Sequence, residues 1–341
     1  MADKLVIVVG AGASAEFKLP IGSQLADQVS DSANTIQIYG EAHKQNIDPH
    51  LFSAAKLIGS ESGDADFIEE LRRISSGVRL MPSIDNYLHA HSHNEVRVKL
   101  GKLLIADALI KAERRSSLYF NPPKTHETFN FANVADTWLA ALFRAIVTAG
   151  KIEQLESWLE RITFVSFNYD RVIFRFFFLA VQAVFDLSEE EASKFCEKHL
   201  KVLHPYGSLG RLQPRNRESG FGENNHHQAL LSSVNNIKVF TEGGERQTRQ
   251  LVRQAILEAG SIWFLGFSFL DLNMKFLKPA DQTYLKVFGT LRGMSDFNSR
   301  IARKELASWI RNGSAYEPGF DLVRTDCSIL LNDFSGFFRS N

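Results

Sequence analysis

The chain has 341 residues, of which 44% are hydrophobic and 23% charged, a composition typical of a globular protein with one large domain or two ordinary ones. Its 39 basic residues balance its 39 acidic residues, so the charge gives no reason to expect direct binding to nucleic acid or to a membrane. Its two cysteines, Cys196 and Cys327, exclude a disulfide framework and a four-cysteine zinc module, and we expect a reducing, cytoplasmic compartment.

Six short apolar segments predict β-strands, and helical patterns separate several of them. The predicted strands are residues 5–9, 162–167, 201–204, 262–267, 284–288 and 321–331. The predicted helices after residue 160 are 174–185, 245–259 and 301–310, the last with Ile301, Leu306 and Ile310 on one face. Strands that alternate with helices imply a mostly parallel sheet, so we expect an α/β fold with a six-stranded Rossmann-like sheet.

The long interval between the first two predicted strands is mostly helical in pattern. Its helical segments are residues 65–75, 84–93, 96–114 and 133–148, with a break at Pro122-Pro123. We therefore divide the chain into a Rossmann-like domain, residues 1–30 plus 160–341, and a helical insertion, residues 31–159. Residues 213–236 are polar and contain Pro, Gly and Asn, which predicts a loop. No membrane span is expected, because the most apolar stretch, residues 172–181, is short and contains Arg175.

The first predicted strand ends in a glycine-rich turn, Gly10-Ala11-Gly12-Ala13-Ser14-Ala15. Its spacing is that of the G-x-G-x-x-A dinucleotide-binding turn, in which the glycines let backbone N–H groups approach a pyrophosphate closely. By itself this pattern is common, because glycine turns often follow strands.

Polar side chains follow the second predicted strand, where Asn168 and Asp170 stand two residues apart. Open α/β sheets bind ligands at the carboxyl ends of their strands, and alternation directs both side chains into one crevice if the chain stays extended. A turn that simply favours Asn and Asp is the alternative. Two later strands end in glycine and serine, Gly207-Ser208 and Gly266 with Ser268, which offer backbone donors and hydroxyls to ribose or phosphate oxygens.

Taken in this order, the four segments resemble the motifs of the sirtuin-like (silent-information-regulator-type) NAD-binding family. The resemblance covers residues 4–25 and 160–295. The matching positions are Gly10, Ala11, Gly12 and Ser14, then Asn168 and Asp170, then Gly207, then Gly266 and Ser268. Within the helical insertion, Ser83-Ile84-Asp85 is similar to a segment of the bacterial defence branch of this family.

The resemblance implies that NAD⁺ is bound as a substrate. Gly10, Gly12 and Ser14 would hold its diphosphate. Asn168 and Asp170 would contact the nicotinamide and its ribose. Gly266 and Ser268 would contact the adenosine side, and the remaining contacts to the dinucleotide would come from Ala11, Gly207 and Ser208.

One position departs from the family pattern. Tyr206 precedes Gly207 where the family has a histidine, whereas His204 stands two residues earlier. Pro205 favours an extended His204, which would bring the side chains of His204 and Tyr206 to the same side of the chain. Neutral histidine accepts a proton near pH 7 and tyrosine does not, so we favour His204 as the catalytic base with Tyr206 beside it. A structural His204 in an inactive site is the alternative.

Deacylating sirtuins carry a four-cysteine zinc module that this chain lacks, so the resemblance implies the zinc-free branch of NAD⁺ glycohydrolases in bacterial anti-phage defence. Enzymes of this kind cleave the nicotinamide–ribose bond and are held inactive until a trigger acts. We accordingly expect no metal cofactor, a homo-oligomer, and a partner protein such as a ring ATPase or another defence-system subunit. The helical insertion and residues 213–236 are the candidate gates.

Three other functions stay open at the level of sequence. A dehydrogenase would need residues 35–39 as a second strand, with Glu41 on the adenosine ribose. A non-catalytic sensor of NAD⁺ or ADP-ribose would account for Tyr206. A metal site would use His89 and His93, which share one face if they lie on a helix, with His91 between them.

Overall fold

A parallel six-stranded β-sheet forms the centre of the described part of the chain. The computed structural model describes residues 4–39, 48–61, 66–120, 128–212, 220–223, 227–239, 245–311 and 319–339. The strands are β1 (Lys4–Val9), β2 (Ile162–Ser166), β3 (Val202–Leu203), β4 (Ala259–Leu265), β5 (Lys286–Thr290) and β6 (Phe320–Val323). They lie in the order β3-β2-β1-β4-β5-β6, and each neighbouring pair is parallel. The predicted α/β class with a Rossmann-like sheet is therefore confirmed.

The strand order reverses its direction of growth at β1. Leu5 of β1 lies opposite Ile162 of β2 on one side and opposite Ser261 of β4 on the other. In open parallel sheets, a ligand crevice forms outside the carboxyl ends of the strands at such a switch point. The turns that follow β1, β2 and β4 are therefore the first candidates for a site.

Eight α-helices precede β2 in the described residues, and eight follow it. The first eight are α1 (Ala11–Ala15), α2 (Gly22–Tyr39), α3 (Pro49–Glu61), α4 (Phe67–Gly77), α5 (Ile84–Ala90), α6 (Glu95–Arg115), α7 (Trp138–Ile146) and α8 (Ile152–Arg161). The second eight are α9 (Val172–Phe185), α10 (Glu189–His199), α11 (His227–Asn236), α12 (Glu245–Glu258), α13 (Asp271–Leu277), α14 (Asp296–Ala307), α15 (Cys327–Asp333) and α16 (Ser335–Arg339).

The helices cover both faces of the sheet, and alternation along β1 decides which residues meet which layer. Val6 and Val8 belong to one buried cluster together with α2–α6 and α11–α13. Leu5, Ile7 and Val9 belong to the other, together with α7–α10, α15 and α16. Successive strand residues point to opposite faces, so a strand that serves two cores must be apolar throughout. The helices between β1 and β2 are divided between the two faces of the sheet. Helices α2–α6 cover the first face, and α7 and α8 cover the second.

Residues 321–331 do not form the single strand that the sequence predicts. β6 ends at Val323, and α15 begins at Cys327, directly after Asp326. Leu330 and Leu331 are buried in the cluster on the second face, so this apolar run belongs to a helix. A short apolar run has no periodicity that separates a buried strand from a buried helix.

Two further segments differ from their predicted structure. Residues 227–236 form α11 and not a loop, because Leu230 and Val234, four residues apart, are buried on one side of a helical turn. α14 ends at Ala307, and its Ile301 is exposed whereas Leu306 is buried, so these two residues do not share the inner face. Residues 213–219 and 224–226 of the predicted loop lie outside the described residues, as does Pro122-Pro123.

Residues 35–39 form the end of α2, and this removes the second strand that the dehydrogenase hypothesis requires. Glu41, the residue assigned to the ribose in that hypothesis, lies outside the described residues. No helix in the described ranges combines the length and the hydropathy that a membrane crossing requires.

Candidate functional site

The glycines after β1 and β4 let two turns touch at the switch point of the sheet. Gly10 donates its N–H to the carbonyl of Leu265 at 2.9 Å, and Gly12 donates to the carbonyl of Gly266 at 3.0 Å. Gly266 has φ +57°, and a Cβ there would lie 2.0 Å from the nitrogen of Ala13. A Cβ on Gly10 would lie 2.5 Å from the carbonyl oxygen of Gly266. Only glycine fits at these positions, because any side chain would overlap the neighbouring backbone.

Three polar side chains from distant segments meet beside this contact. Ser14, on α1, donates its hydroxyl to Asp170 Oδ2 at 2.6 Å. Asn168 donates its amide to Ser14 Oγ at 2.7 Å and to the carbonyl of Gly10 at 2.9 Å. All three side chains are buried. The structure thus brings Asn168 and Asp170 into one crevice, the arrangement that their spacing after β2 predicts.

Asp170 has a structural contact as well as a contact within the cluster. Its Oδ1 accepts the backbone N–H of Val172 at 3.1 Å, at the start of α9. The turn-forming role considered for this residue is therefore real, but it occupies one carboxylate oxygen and leaves the other on Ser14. Burial raises the pKa of Asp170 to about 6, and the hydrogen bond from Ser14 opposes that shift.

His204 lies next to this cluster. Its Nδ1 is 3.1 Å from the carbonyl oxygen of Asn168, and because a carbonyl only accepts, Nδ1 carries the proton in the neutral ring. Burial lowers the pKa of His204 to about 4, and this hydrogen bond opposes the shift. At neutral pH the imidazole is therefore uncharged, with Nε2 as an acceptor, while Asp170 is mostly ionised.

The expectation that His204 and Tyr206 project to the same side is wrong. The chain turns at Pro205, where the N–H of Gly207 donates to the carbonyl of His204 at 3.2 Å, and Gly207 has φ +71°. Tyr206 therefore enters the core, where its ring packs on Phe167 and its hydroxyl donates to Asn273 Oδ1 at 2.6 Å. The physical reason is that proline also favours the second position of a tight turn, where the chain is not extended.

A cavity of ≈ 440 Å³ opens beside Asp170 and His204, between the ends of β2 and β3 and the helices α9 and α10. Its polar lining includes Asp170, Arg171, His204, Ser208 and Asn236. Its apolar lining comes from Ile173, Phe174, Leu200, Val202 and Leu212. Gly207 and Ser208, which follow β3 and are both predicted site residues, also line the cavity.

The remaining predicted residues lie outside this cavity. Gly10, Ala11, Gly12, Ser14 and Gly266 form the neighbouring glycine contact, and Ser268 is exposed two residues beyond Gly266. The N–H groups of Gly10, Gly12 and Ala13 already donate to backbone carbonyl oxygens. A diphosphate bound at this turn would therefore need hydrogen-bond donors other than these three N–H groups.

Two carboxylates on the helices before β2 bind residues that flank Asp170. The sequence did not indicate either of them as part of the site. The hydroxyl of Tyr169 donates to Asp85 on α5, and Arg171 Nε donates to Glu113 on α6 at 3.0 Å. Burial raises the pKa of Asp85, and the hydrogen bond from Tyr169 opposes that shift. The segment Ser83-Ile84-Asp85 carried a weak signal in its family resemblance, whereas Glu113 stands in a long helix and carried none.

The histidines of the proposed metal site do not form the predicted pair. α5 ends at Ala90, so His89 and His93 do not share a helix face, and His91 Nδ1 lies 2.8 Å from the carbonyl oxygen of Tyr87. Among the described residues, no group of three or more His, Cys, Asp or Glu side chains is arranged to hold a metal ion.

The fold and the site define a Rossmann-like α/β protein with a buried Ser-Asn-Asp cluster and a histidine at the carboxyl ends of its parallel strands. No family model matches the chain, and neither a curated protein nor a solved structure gives a significant match.

Proposed function

We propose that this protein is an NAD⁺ glycohydrolase, which cleaves the nicotinamide–ribose bond and releases nicotinamide and ADP-ribose. The observation that carries the proposal is the meeting of Ser14, Asn168, Asp170 and His204 beside a cavity at the carboxyl ends of parallel strands. Ligands of open α/β sheets bind at this edge.

The proposed reaction needs little proton transfer to the leaving group. Nicotinamide is cationic in NAD⁺, so when the N-glycosidic bond breaks, its electron pair neutralises the ring nitrogen and no acid is required. The ribose passes through an oxocarbenium-like state, which the ionised carboxylate of Asp170 stabilises. Water then forms the new bond to the anomeric carbon and gives a proton to His204 Nε2.

Asn168 is assigned the orientation of that water or of a ribose hydroxyl. Its side-chain amide already donates to Ser14 and Gly10, so its remaining polar atom is Oδ1, an acceptor suited to an O–H group. Ser14 fixes the side chains of Asn168 and Asp170 relative to each other, because its hydroxyl is hydrogen-bonded to both. The glycine turn is assigned to the diphosphate through donors other than the N–H groups of Gly10, Gly12 and Ala13. Gly266 and the exposed Ser268 are assigned to the adenosine side.

The resemblance to the sirtuin-like family is also the basis for the proposed cellular role and its regulation. A hydrolase that consumes NAD⁺ must be held inactive until it is needed, and we assign this one to the zinc-free defence branch of sirtuin-like enzymes. Its proposed state is a cytoplasmic homo-oligomer, with a ring ATPase or another defence-system subunit as its activating partner. No direct contact with nucleic acid or membrane is part of this proposal.

The proposal predicts that the protein, once activated, releases nicotinamide from NAD⁺ and that Asn168→Ala lowers kcat at least about 100-fold, as for other oriented polar groups in active sites. His204→Ala should also lower kcat. Asn34→Ala is the matched control, because Asn34 is exposed on α2, and it should keep full activity. Release of nicotinamide is measured chromatographically.

Two results would contradict the proposal. Full activity of Asn168→Ala would remove the assigned site. Binding of NAD⁺ in a calorimeter without any release of nicotinamide, even with the activating partner present, would identify a sensor and not a hydrolase.

A further inference from the structure

The side chains of the four residues after Phe167 bind two different groups of partners. Asn168 and Asp170 reach Ser14, as described above. The intervening Tyr169 and the following Arg171 each bind a carboxylate from the helices between β1 and β2. The chain bends at Asn168 and Asp170, and neighbouring side chains there contact different partners.

Tyr169 connects the site to the helical layer α2–α6. Its side chain is 4% exposed and belongs to the buried cluster of that layer. Its hydroxyl donates to Asp85 Oδ1 at the start of α5, and its carbonyl accepts the N–H of Leu209 at 2.8 Å. Separating Tyr169 from Asp85 would remove the tyrosine hydroxyl from a half-buried carboxylate, so the two elements are expected to move together.

Arg171 makes the second connection. Its guanidinium binds Glu113 near the end of α6, and Glu113 is fully buried. Glu113 also accepts the N–H of Gly222 at 3.0 Å, and Arg171 donates to the carbonyl of Gly220 at 3.1 Å. The residues on both sides of Asp170 are therefore held by helices that precede β2.

We propose that Asp85 is a positioning residue for the candidate site: it acts through Tyr169 and couples the placement of Asn168 and Asp170 to the position of α5. The inference rests on the proposed function for its consequence, because a partner that displaces α5 would then change NAD⁺ hydrolysis without touching the substrate. The coupling itself is a property of the loop and is measurable without any substrate.

The test compares hydrogen exchange of the peptide 166–172 with turnover of NAD⁺ in the full chain. Asp85→Ala and Tyr169→Phe each remove one side of the contact and should speed exchange of this peptide by about tenfold or more. Both should lower kcat by about tenfold with a smaller change in KM, because the reacting groups are displaced and not removed. The double variant should add little to either single one.

Two further variants separate positioning from loss of stability. Asp85→Asn keeps an oxygen that accepts the tyrosine hydroxyl, so it should stay close to the natural protein in exchange and kcat. Glu70→Ala removes a buried carboxylate of the same helical layer, one whose 2.6 Å ion pair with Arg97 lies within that layer. It should leave exchange of residues 166–172 unchanged once global stability is matched with denaturant.

Equal exchange of this peptide in Asp85→Ala and Glu70→Ala would overturn the inference. If the natural protein releases no nicotinamide even with its activating partner, the proposed function fails, while the exchange comparison still decides whether Asp85 positions the loop.

Discussion

At the scale of single residues, burial moves the two titrating groups of the candidate site in opposite directions. The pKa of Asp170 rises to about 6 and that of His204 falls to about 4, because burial disfavours the charged form of each. Above pH 6 the carboxylate is ionised and the imidazole is neutral. These are the protonation states that the proposed hydrolysis needs.

Activity should therefore rise with pH through a single inflection near 6, set by Asp170, and His204 should add none near its ordinary value of 6.5. Ser14→Ala should move the inflection to higher pH, because the serine hydroxyl donates to the carboxylate and favours its ionised form. The measurement is the pH profile of kcat. An inflection that does not move in Ser14→Ala would assign it to another group.

Stability is a poorer probe of the same two groups. The raised pKa of Asp170 makes the native state bind more protons between 3.8 and about 6, so its contribution to the free energy of unfolding falls as pH rises there. The lowered pKa of His204 makes the native state bind fewer protons between about 4 and 6.5, so its contribution rises with pH. The two slopes oppose each other over most of this range.

At the scale of elements, the turns after β1 and β4 depend on each other. The left-handed conformation of Gly266 and its N–H bond to Thr290 Oγ1, at 2.9 Å, set the path of the chain after β4. That path places the carbonyl of Gly266 where Gly12 can donate to it. The glycine pattern that predicts a dinucleotide turn therefore also serves the packing of two strand ends.

Gly266→Ala should lower the free energy of unfolding by about 2 kcal/mol or more, since a Cβ is unfavourable at positive φ and here also overlaps the backbone of α1. Gly22→Ala is the control, because no atom lies within 4 Å of a Cβ at Gly22. Its change should stay within about 0.5 kcal/mol. Urea unfolding measures both, and equal losses would contradict this role of Gly266.

The sequence predicts best the elements whose own apolar residues mark them as buried. The strands β1, β2 and β4 are mostly apolar, because each serves two cores, and they are predicted to within a few residues. Ser14, Asn168 and Asp170 are predictable as a group, since the ends of parallel strands meet at one edge. The turn at Pro205, which separates Tyr206 from His204, is not, because proline is compatible with both an extended chain and a tight turn.

The contacts of Asp85 and Glu113 are hidden from the sequence for another reason. They bind Tyr169 and Arg171, which lie 84 and 58 residues further along the chain. No local periodicity marks a carboxylate whose partner is so distant. The same holds for α11, whose two buried apolar residues, Leu230 and Val234, stand in a polar segment.

At the scale of the whole molecule, Glu16 connects three distant parts of the chain. Its Oε2 accepts the N–H of Trp138 at 2.6 Å, and its Oε1 accepts the N–H of Ser328 at 3.0 Å. One carboxylate at the end of the glycine turn thus caps the first turns of both α7 and α15. Negative charge at helix N-termini is favourable, and here it holds two helices of the second face beside β1.

Glu16→Ala should therefore lower the free energy of unfolding by about 2 kcal/mol or more, since single caps contribute roughly 0.5–2 kcal/mol each. Glu191→Ala is the control: Glu191 completes an exposed capping box on α10 with Ser188, and its loss should cost about 1 kcal/mol or less. Both are measured by urea unfolding. A loss in Glu16→Ala no larger than that of the control would refute the double-cap role.

The central position of β1 has a consequence for biosynthesis. Lys4 pairs in register with Ala259, so β1 leaves the ribosome about 250 residues before its second neighbour, a delay of roughly 10–50 s at ordinary translation rates. During that time one edge of an apolar strand lacks its final cover. Newly made chains are therefore expected to rely on chaperones until β4 has been translated, and fragments that stop short of Ala259 are candidates for aggregation and degradation.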